Sequence, residues 1–513
     1  MEIEWLTLCL GLLLWVAWLI SLNRRHHRRL SELGRMPPGP RGWPVVGNMF
    51  QLGWAPHESL ARLSQHHGPI MSLWLGSMRT VVISSSEAAR DMFKYHDSAL
   101  AGRQVYEAIR GRGRNGNEGS MVTAQHGPAW RTLRRLCVTE FFLASSLDST
   151  QATRRHCVDA MVQLVEEAAM RSTVPTAVDI GKCAFLMAFN LIGNLVLSKD
   201  LSDPSCERGA KFFYHVGKAG ELAGKPNVSD FFPILRGLDL QGIRRKALFH
   251  VEKAFEIVVS FVEERMETKK NGSDEEKRRD YLDALLEFRG DVVEEPGHRF
   301  SSRTINNIVL EMFGAGTETT TSTLEWAMAE LLRNPNKLHE VQAELRKVAG
   351  PKKKVEESDI ENLPYLTAVV KETLRLHPPL PLLVPHKAMQ SCTMQGYYIP
   401  EDTQVLVNIW AIGRDPMIWE DPLKFKPERF LGLNAVDFKG RHFEFIPFGS
   451  GRRMCPAVPL VSRVLPLALG SLLLPFDWVL ADGNRPQEMD MRDRLGMTLR
   501  KAIPLRAIPV PHK

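Results

Sequence analysis

Phe445-Ile446-Pro447-Phe448-Gly449-Ser450-Gly451-Arg452-Arg453-Met454-Cys455 is the stretch on which the reading of this chain turns. Gly449 and Gly451 carry no Cβ, so the backbone between them can come close to a flat ligand. Arg452 and Arg453 put positive charge beside Cys455. A helical pattern resumes after Pro459, which sets the cysteine ahead of a helix N-terminus. Both influences favour thiolate over thiol, and thiolate is the form of cysteine that ligates metals. The competing reading of the loop alone is a glycine-rich turn with a buried cysteine.

Upstream lies the longest helical candidate, Ser302 to Arg333. Ile305, Ile308, Val309, Met312 and Phe313 follow a 3.6-residue period, and Leu324, Ala327 and Leu331 resume it. A helix of that length spans roughly 48 Å. Its middle, Gly314 to Thr321, is made of weak helix formers, which predicts a local distortion there. Asn334-Pro335 reads as an N-cap followed by proline at the first position of the next helix. Pro364 to Leu376 is a further helix, stopped by Pro378 and Pro379.

Glu372 and Arg375 sit three apart on that helix, and Phe425 to Phe430 supplies Arg429 downstream. On a solvated face such a pair is commonplace. A buried Glu–Arg–Arg network is satisfied only if all its members meet. Trp130 and Arg134, four apart on another helix, set an indole donor beside a guanidinium, which suits a carboxylate. A surface Trp–Arg stack is the alternative. Ile70–Leu75 and Thr80–Ser84 flank Gly76-Ser77 as a hairpin, and short β-like pieces such as Gln404–Val407 follow late in the chain. The fold class is mainly α with a smaller β region.

The N-terminus adds a membrane signal. Trp5 to Leu22 is a run of 18 residues without a charge, close to the ~20 that span a bilayer. Glu2 and Glu4 precede it, and Arg24, Arg25, Arg28 and Arg29 follow, which puts the body on the cytosolic side. A cleaved signal peptide fits less well, since the leading residues are acidic and no small-residue cleavage site follows. Met36-Pro37-Pro38-Gly39-Pro40 is stiff and extended. The expected organisation is an N-terminal transmembrane helix in 1–23, a basic and Pro-rich hinge in 24–44 and one large body in 45–513. The formal net charge of the 513 residues is +7, much of it at the anchor boundary, so membrane contact is favoured and nucleic acid is not expected. Seven scattered cysteines without a C-x-x-C pair exclude a disulfide scaffold and a zinc knuckle. Asn227-Val228-Ser229 and Asn271-Gly272-Ser273 match glycosylation acceptors, which a cytosolic body makes irrelevant.

In chain order, Trp130-x-x-x-Arg134, Ala315-Gly316-Thr317-Glu318-Thr319-Thr320, Glu372-x-x-Arg375, Pro427-Glu428-Arg429-Phe430 and Phe448 to Cys455 form a series that resembles the cytochrome P450 family of the plant microsomal type. The anchor and the proline-rich segment fit it too, so the resemblance covers essentially the whole chain. It implies the cytochrome P450 fold and a haem b cofactor with Cys455 as the axial thiolate. Thiolate ligation pushes electron density onto haem iron and favours O–O cleavage. It further implies that Trp130, Arg134, His386 and Arg453 meet the propionates and that Phe448 belongs to the cofactor loop. Glu372, Arg375 and Arg429 are implied as a structural network. Thr319 and Glu318 are implied at the oxygen-activation site, Thr319 as the hydroxyl toward dioxygen and Glu318 in a proton relay. One position departs from the pattern: Ala457 stands where the family has glycine two residues after the cysteine, adding a methyl that is expected to be tolerated.

The implied activity is monooxygenation in the endoplasmic reticulum membrane, with electrons from NADPH through NADPH–cytochrome P450 reductase. Arg131, Arg135 and Arg452 are candidates for its docking patch. The sequence is most similar to subfamilies such as geraniol hydroxylases and iridoid oxidases, so a small hydrophobic terpenoid is the expected substrate. An alkaloid or phenolic substrate stays open. Segments near Val105–Met121, Phe212–Ala219, Phe313–Thr317, Leu382–Val384 and Met497-Thr498 are implied to face it. Two other classes compete: a dioxygen-independent haem–thiolate isomerase or dehydratase, against which Thr319 counts, and a scaffold protein with a decayed haem site, against which Cys455 counts.

Overall fold

The structure, a computed structural model, describes Trp5 and residues 34–512 apart from 113–116, 118, 171–175, 202–205, 272–278, 290–298, 433–435 and 484. The predicted anchor, Trp5 excepted, and the arginine cluster lie outside these residues. The described chain forms two compact units.

The first unit comprises the chain up to Gln104 with Val228–Leu238 and Leu382–Ile412. Helices α1 (Pro56–His67) and α2 (Ser86–Tyr95) flank a five-stranded sheet. Its strands are β1 (Ile70–Leu75), β2 (Met78–Ile83), β3 (Gly102–Arg103), β4 (His386–Lys387) and β5 (Gln404–Val407), in the spatial order β1-β2-β5-β4-β3. The predicted hairpin is β1–β2, its second strand starting earlier than Thr80, with Gly76 at φ +58° making the turn. The last four residues of β2 and all of β5 are buried and pair in parallel, which accounts for the apolar runs Val81–Ile83 and Val405–Val407. The proline-rich segment is docked on this sheet. Ser72 donates its N–H to Pro38 O at 2.8 Å and its hydroxyl to Pro37 O at 2.7 Å. A Cβ on Gly39 would fall 1.7 Å from Ser72 O, so only glycine allows that approach.

The second unit comprises Val105–Asn227, Asp239–Pro381 and Gly413–Lys513. It holds α3 (Pro128–Phe141), α4 (Gln151–Met170), α5 (Ile180–Leu197), α6 (Glu207–Ala223), α7 (Ile243–Lys270), α8 (Ser302–Arg333), α9 (Pro335–Ala349), α10 (Pro364–Leu376) and α11 (Val458–Leu473). The long central helix α8 has the predicted ends. Ser301 caps it, its hydroxyl accepting the Thr304 N–H at 3.1 Å. Asn334 does stand before Pro335 but does not cap α9: its amide donates back to Glu330 O at 2.8 Å.

The expected mid-helix distortion is absent; α8 is regular α-helix from end to end. Thr319, Thr320, Thr321 and Thr323 each donate their hydroxyl to the carbonyl four residues back, at 2.7–2.9 Å. These bonds satisfy the hydroxyls locally without breaking the ladder. Gly316 serves packing instead: a Cβ there would fall 2.7 Å from Ile192 Cδ1 of α5. The contact surface of α5, α6 and α8 is aromatic, with Phe313 5.0 Å from Phe189 and 4.8 Å from Phe212 between ring centroids. Such pairs add about 0.5–1.5 kcal/mol each beyond burial. Helix α5 is long and apolar enough to cross a membrane by composition, yet two-thirds of it is buried inside this unit, which makes it a core helix.

The Glu–Arg–Arg network forms. The Glu372 carboxylate, fully buried, takes a two-pronged bond from Arg375 at 2.7 Å on each oxygen. It also accepts from Arg429 Nε at 3.1 Å and from the Lys426 N–H at 2.8 Å. Arg375 continues to the carbonyls of Gly413 and Pro422. Both carboxylate oxygens and all three Arg375 nitrogens are bonded, so removing one member strands a buried charge. Arg375→Ala is expected to cost about 3–5 kcal/mol, measured as a lowered midpoint in urea unfolding.

Candidate active site

The cysteine loop is built by two glycines with left-handed backbone, Gly449 at φ +71° and Gly451 at φ +66°. An L side chain at either position is strained. A single tight turn over Gly451–Arg453 brings the chain round so that the Cys455 N–H donates to Phe448 O at 2.9 Å. The Phe448 ring meets Phe438 edge-on at 5.2 Å. Helix α11 starts three residues after the cysteine and packs on α8. The loop is thereby placed beside the central helix.

Burial pushes the Cys455 thiol above its ordinary range, against smaller opposing effects of the Ala457 N–H and the Arg134 guanidinium. This corrects the expectation that the loop's arginines favour thiolate. Arg452 is exposed, and Arg453 turns to Met121 O at 3.3 Å and Ala124 O at 2.6 Å. A metal cation bound at this sulfur would supply the positive charge that favours thiolate.

Three of the four predicted propionate partners gather at this loop. Trp130, buried in the first turn of α3, donates Nε1–H to Met121 O at 2.9 Å. The Arg453 guanidinium stacks 4.2 Å over its ring. Arg134, one turn on, donates to Met454 O, the residue before the cysteine. His386 belongs to the first unit, on β4, where Nδ1 faces Leu100 O at 2.8 Å and the ring meets Phe93 edge-on at 5.9 Å.

The residues present fit haem. Arg134, Arg453 and Trp130 all bond to backbone carbonyls, which are weaker acceptors than the charged carboxylates of a propionate. The middle of α8 also has an open face: Ala315 is exposed, Thr319 is half-buried, and nothing lies within 4 Å of a Cβ placed on Gly314.

Thr319 and Glu318 diverge in environment. The Thr319 hydroxyl proton goes to Ala315 O at 2.7 Å, so its lone pairs accept and donation outward needs the hydroxyl to turn about its Cβ–Oγ1 bond. Glu318 is buried and ion-paired with Arg500, and Thr498 Oγ1 donates to it at 3.4 Å. Burial raises its carboxyl, opposed by Arg500 and Thr498. Among the segments expected to face substrate, Phe212 and Phe313 instead close the aromatic core, and Thr317 is buried. The Met497 turn is pressed against the end of α6, where a Cβ on Gly224 would fall 2.4 Å from Met497 N.

Sequence reasoning missed Arg500, the Met121 carbonyl and Glu311. The last had a signal: Glu311, Glu318 and Glu325 repeat every seven residues along an otherwise apolar helix, which places them on one stripe.

A family model described as cytochrome P450 matches residues 37–505. The chain belongs to the cytochrome P450 family of oxidising enzymes. It is 46% identical over 484 residues to an iridoid oxidase of Catharanthus roseus, covering 94% of this chain and 93% of the relative. It is 44% identical over 474 residues to a geraniol 8-hydroxylase of the same plant, covering 92% and 94%. A solved zebra fish cytochrome P450 with abiraterone superposes with a TM-score of 0.71 at 26% identity, covering 89% of this chain and all of that one.

Ala457 sits at φ −84°, ψ 5°, a conformation open to any residue, as the cap of α11. Its methyl packs at the edge of the core. Ala457→Gly is therefore expected to change stability by no more than about 0.5 kcal/mol, glycine being the slightly better cap. The haem content of the purified protein is expected to be unchanged, and an absorbance ratio of Soret band to protein checks it.

Proposed function

We propose that the chain inserts one oxygen atom from dioxygen into a small hydrophobic terpenoid, with haem held by Cys455 and electrons drawn from NADPH through NADPH–cytochrome P450 reductase. The observation that carries this reading is the convergence of Trp130, Arg134 and Arg453 on the loop that presents Cys455 beside the open face of α8. Haem iron, when bound, supplies oxygen activation and the electron relay. The chain's own residues do the rest. Arg134, Arg453 and Trp130 exchange carbonyl partners for propionates. Thr319 orients a proton over the open face, and Glu318 holds the next one. Arg500, whose side chain is 42% exposed, links Glu318 to solvent. The relatives named for iridoid and geraniol oxidation support the substrate class.

Membrane attachment through residues 1–23, with the body in the cytosol at the endoplasmic reticulum, completes the proposal. In the first unit Trp43, Phe50, Trp54, Ile234 and Leu238 are all strongly exposed, and their neighbours Met49, Leu52 and Phe231 pack on one apolar cluster of the sheet. An apolar rim of this kind suits a bilayer surface. For the reductase, Arg131 and Arg135 are exposed one turn apart on α3, and Arg452 is exposed on the cysteine loop.

The deciding test is the carbon monoxide difference spectrum of the reduced protein beside a Cys455→Ser control. A strongly red-shifted Soret band that the control loses supports the thiolate; a band typical of histidine-ligated haem refutes it. Thr319→Ala is expected to slow geraniol turnover by roughly 100-fold, with urea stability nearly unchanged because the hydroxyl bonds only its own helix. Reversing charge at Arg131 and Arg135 together is expected to slow flavin-to-haem electron transfer several-fold at low salt and to leave haem content intact, as stopped-flow reduction would show.

A further inference from the structure

Glu311 is a part-buried acid that the reaction outlined above does not use. It lies on α8 four residues before Ala315, and no ion pair holds it among the described residues. Its carboxylate takes a hydrogen bond from the Ser120 hydroxyl, one from the Met121 N–H at 2.8 Å and one from the Val122 N–H at 3.3 Å. Ser120 is in turn fixed by Thr123, whose N–H donates to it at 2.8 Å. The carbonyl of Met121, on the far side of the same residue, receives both Trp130 Nε1 and Arg453 Nη1.

We propose that Glu311 is a positioning residue that clamps the 120–123 loop to the central helix and, through the Met121 carbonyl, sets where Trp130 and Arg453 present their donors. The second half of this proposal rests on the reading of Trp130 and Arg453 as propionate partners; the first half does not. The clamp joins the helix whose open face receives dioxygen to the loop that ends a segment expected to face substrate. One carboxylate therefore ties the substrate side of the site to the cofactor edge.

The clamp is sensitive to pH. Burial raises the Glu311 carboxyl to about 7, against the pull of Ser120, the two backbone N–H groups and Arg453. Above that pH the carboxylate accepts all three bonds. Below it the acid keeps its proton, and one oxygen becomes a donor where acceptors are needed. The other titratable groups facing it are Cys137 of α3 and Tyr281. Burial raises Cys137 to about 12 and Tyr281 well above its ordinary value, so both stay neutral through pH 6–8. His126, whose ring lies 5.4 Å from that of Trp130, is the other group that can respond in that window, so the part of the response that Glu311→Gln abolishes belongs to Glu311.

Amide hydrogen exchange at Met121 and Val122, read by mass spectrometry in the haem-loaded protein at pH 6 and pH 8 and normalised to the unfolded peptide rates, tests the clamp. The wild type is expected to be several-fold better protected at pH 8. Glu311→Gln is expected to lose about tenfold or more of that protection, as for hydrogen bonds to a charged group, and to show no difference between the two pH values. Ser120→Ala leaves the helix untouched and removes one donor to the charged form, so its transition is expected to move to higher pH. Transfer of haem to excess apomyoglobin is expected to speed up several-fold in Glu311→Gln. Wild-type protection and pH response in Glu311→Gln, or an unmoved transition in Ser120→Ala, overturns the clamp. An intact clamp effect with unchanged haem transfer overturns only its link to the propionate partners. A protein without a thiolate spectrum overturns the haem reading, while exchange in that protein still decides the clamp.

Discussion

A carboxylate with no access to water needs every lone pair occupied, and Glu372 meets that demand by drawing three separate pieces of chain together. Arg375 comes from its own helix, Arg429 from the Pro427–Phe430 turn, and the Lys426 N–H from the segment between. Arg375 then reaches the carbonyls of Gly413 and Pro422, which fixes the otherwise irregular run that leads into the cysteine loop. That run has few regular elements of its own between Ile412 and Val458. Its shape is dictated by polar groups that must be satisfied, and the position of Cys455 inherits that shape.

The site shows the same economy of backbone and side chain. Cations predicted to stand ready for an anion instead lie on carbonyls, and those carbonyls belong to the loops that frame the cysteine. Arg134 holds Met454 and Arg453 holds Met121 and Ala124. A donor engaged in this way keeps its direction without burying an unpaired charge. A buried thiol with a raised pKa follows the same logic: the protein shapes the position, and on the proposed reading a bound metal would provide the positive charge that makes sulfur a ligand.

Much of this was legible in the residues. Helix α8 ran from Ser302 to Arg333 because a strong apolar period and a serine cap mark its ends. Helix α10 ended where two prolines forbid another turn. The pairing of Glu372 with Arg375 and Arg429 was readable as a demand, since a buried acid needs both. What stayed hidden depends on tertiary partners. Weak helix formers around Gly316 suggested a distortion, but propensity was overridden by packing against Ile192 and by hydroxyls that bond their own helix. Asn334 looked like a cap, yet its amide found Glu330 closer than the next N-terminus. Arg453 looked like a neighbour that acidifies Cys455, yet its guanidinium found an indole face and two carbonyls. Arg500 and Met121 could not be foreseen because they meet the site from distant parts of the chain. Glu311 could have been, from its seven-residue spacing to Glu318 and Glu325.

The docking of Pro37, Pro38 and Gly39 along β1 shortens the leash on the protein. On the anchored reading, the slack between the last apolar residue and the first docked one, Arg35, whose carbonyl accepts the Tyr398 N–H at 2.8 Å, is only the stretch from about Asn23 to Gly34. Twelve extended residues reach at most roughly 43 Å. The first unit is then confined to a shallow shell above the bilayer, with its exposed tryptophans never far from lipid. A hydrophobic substrate dissolved in that lipid is met at the concentration of the membrane phase and not at that of water.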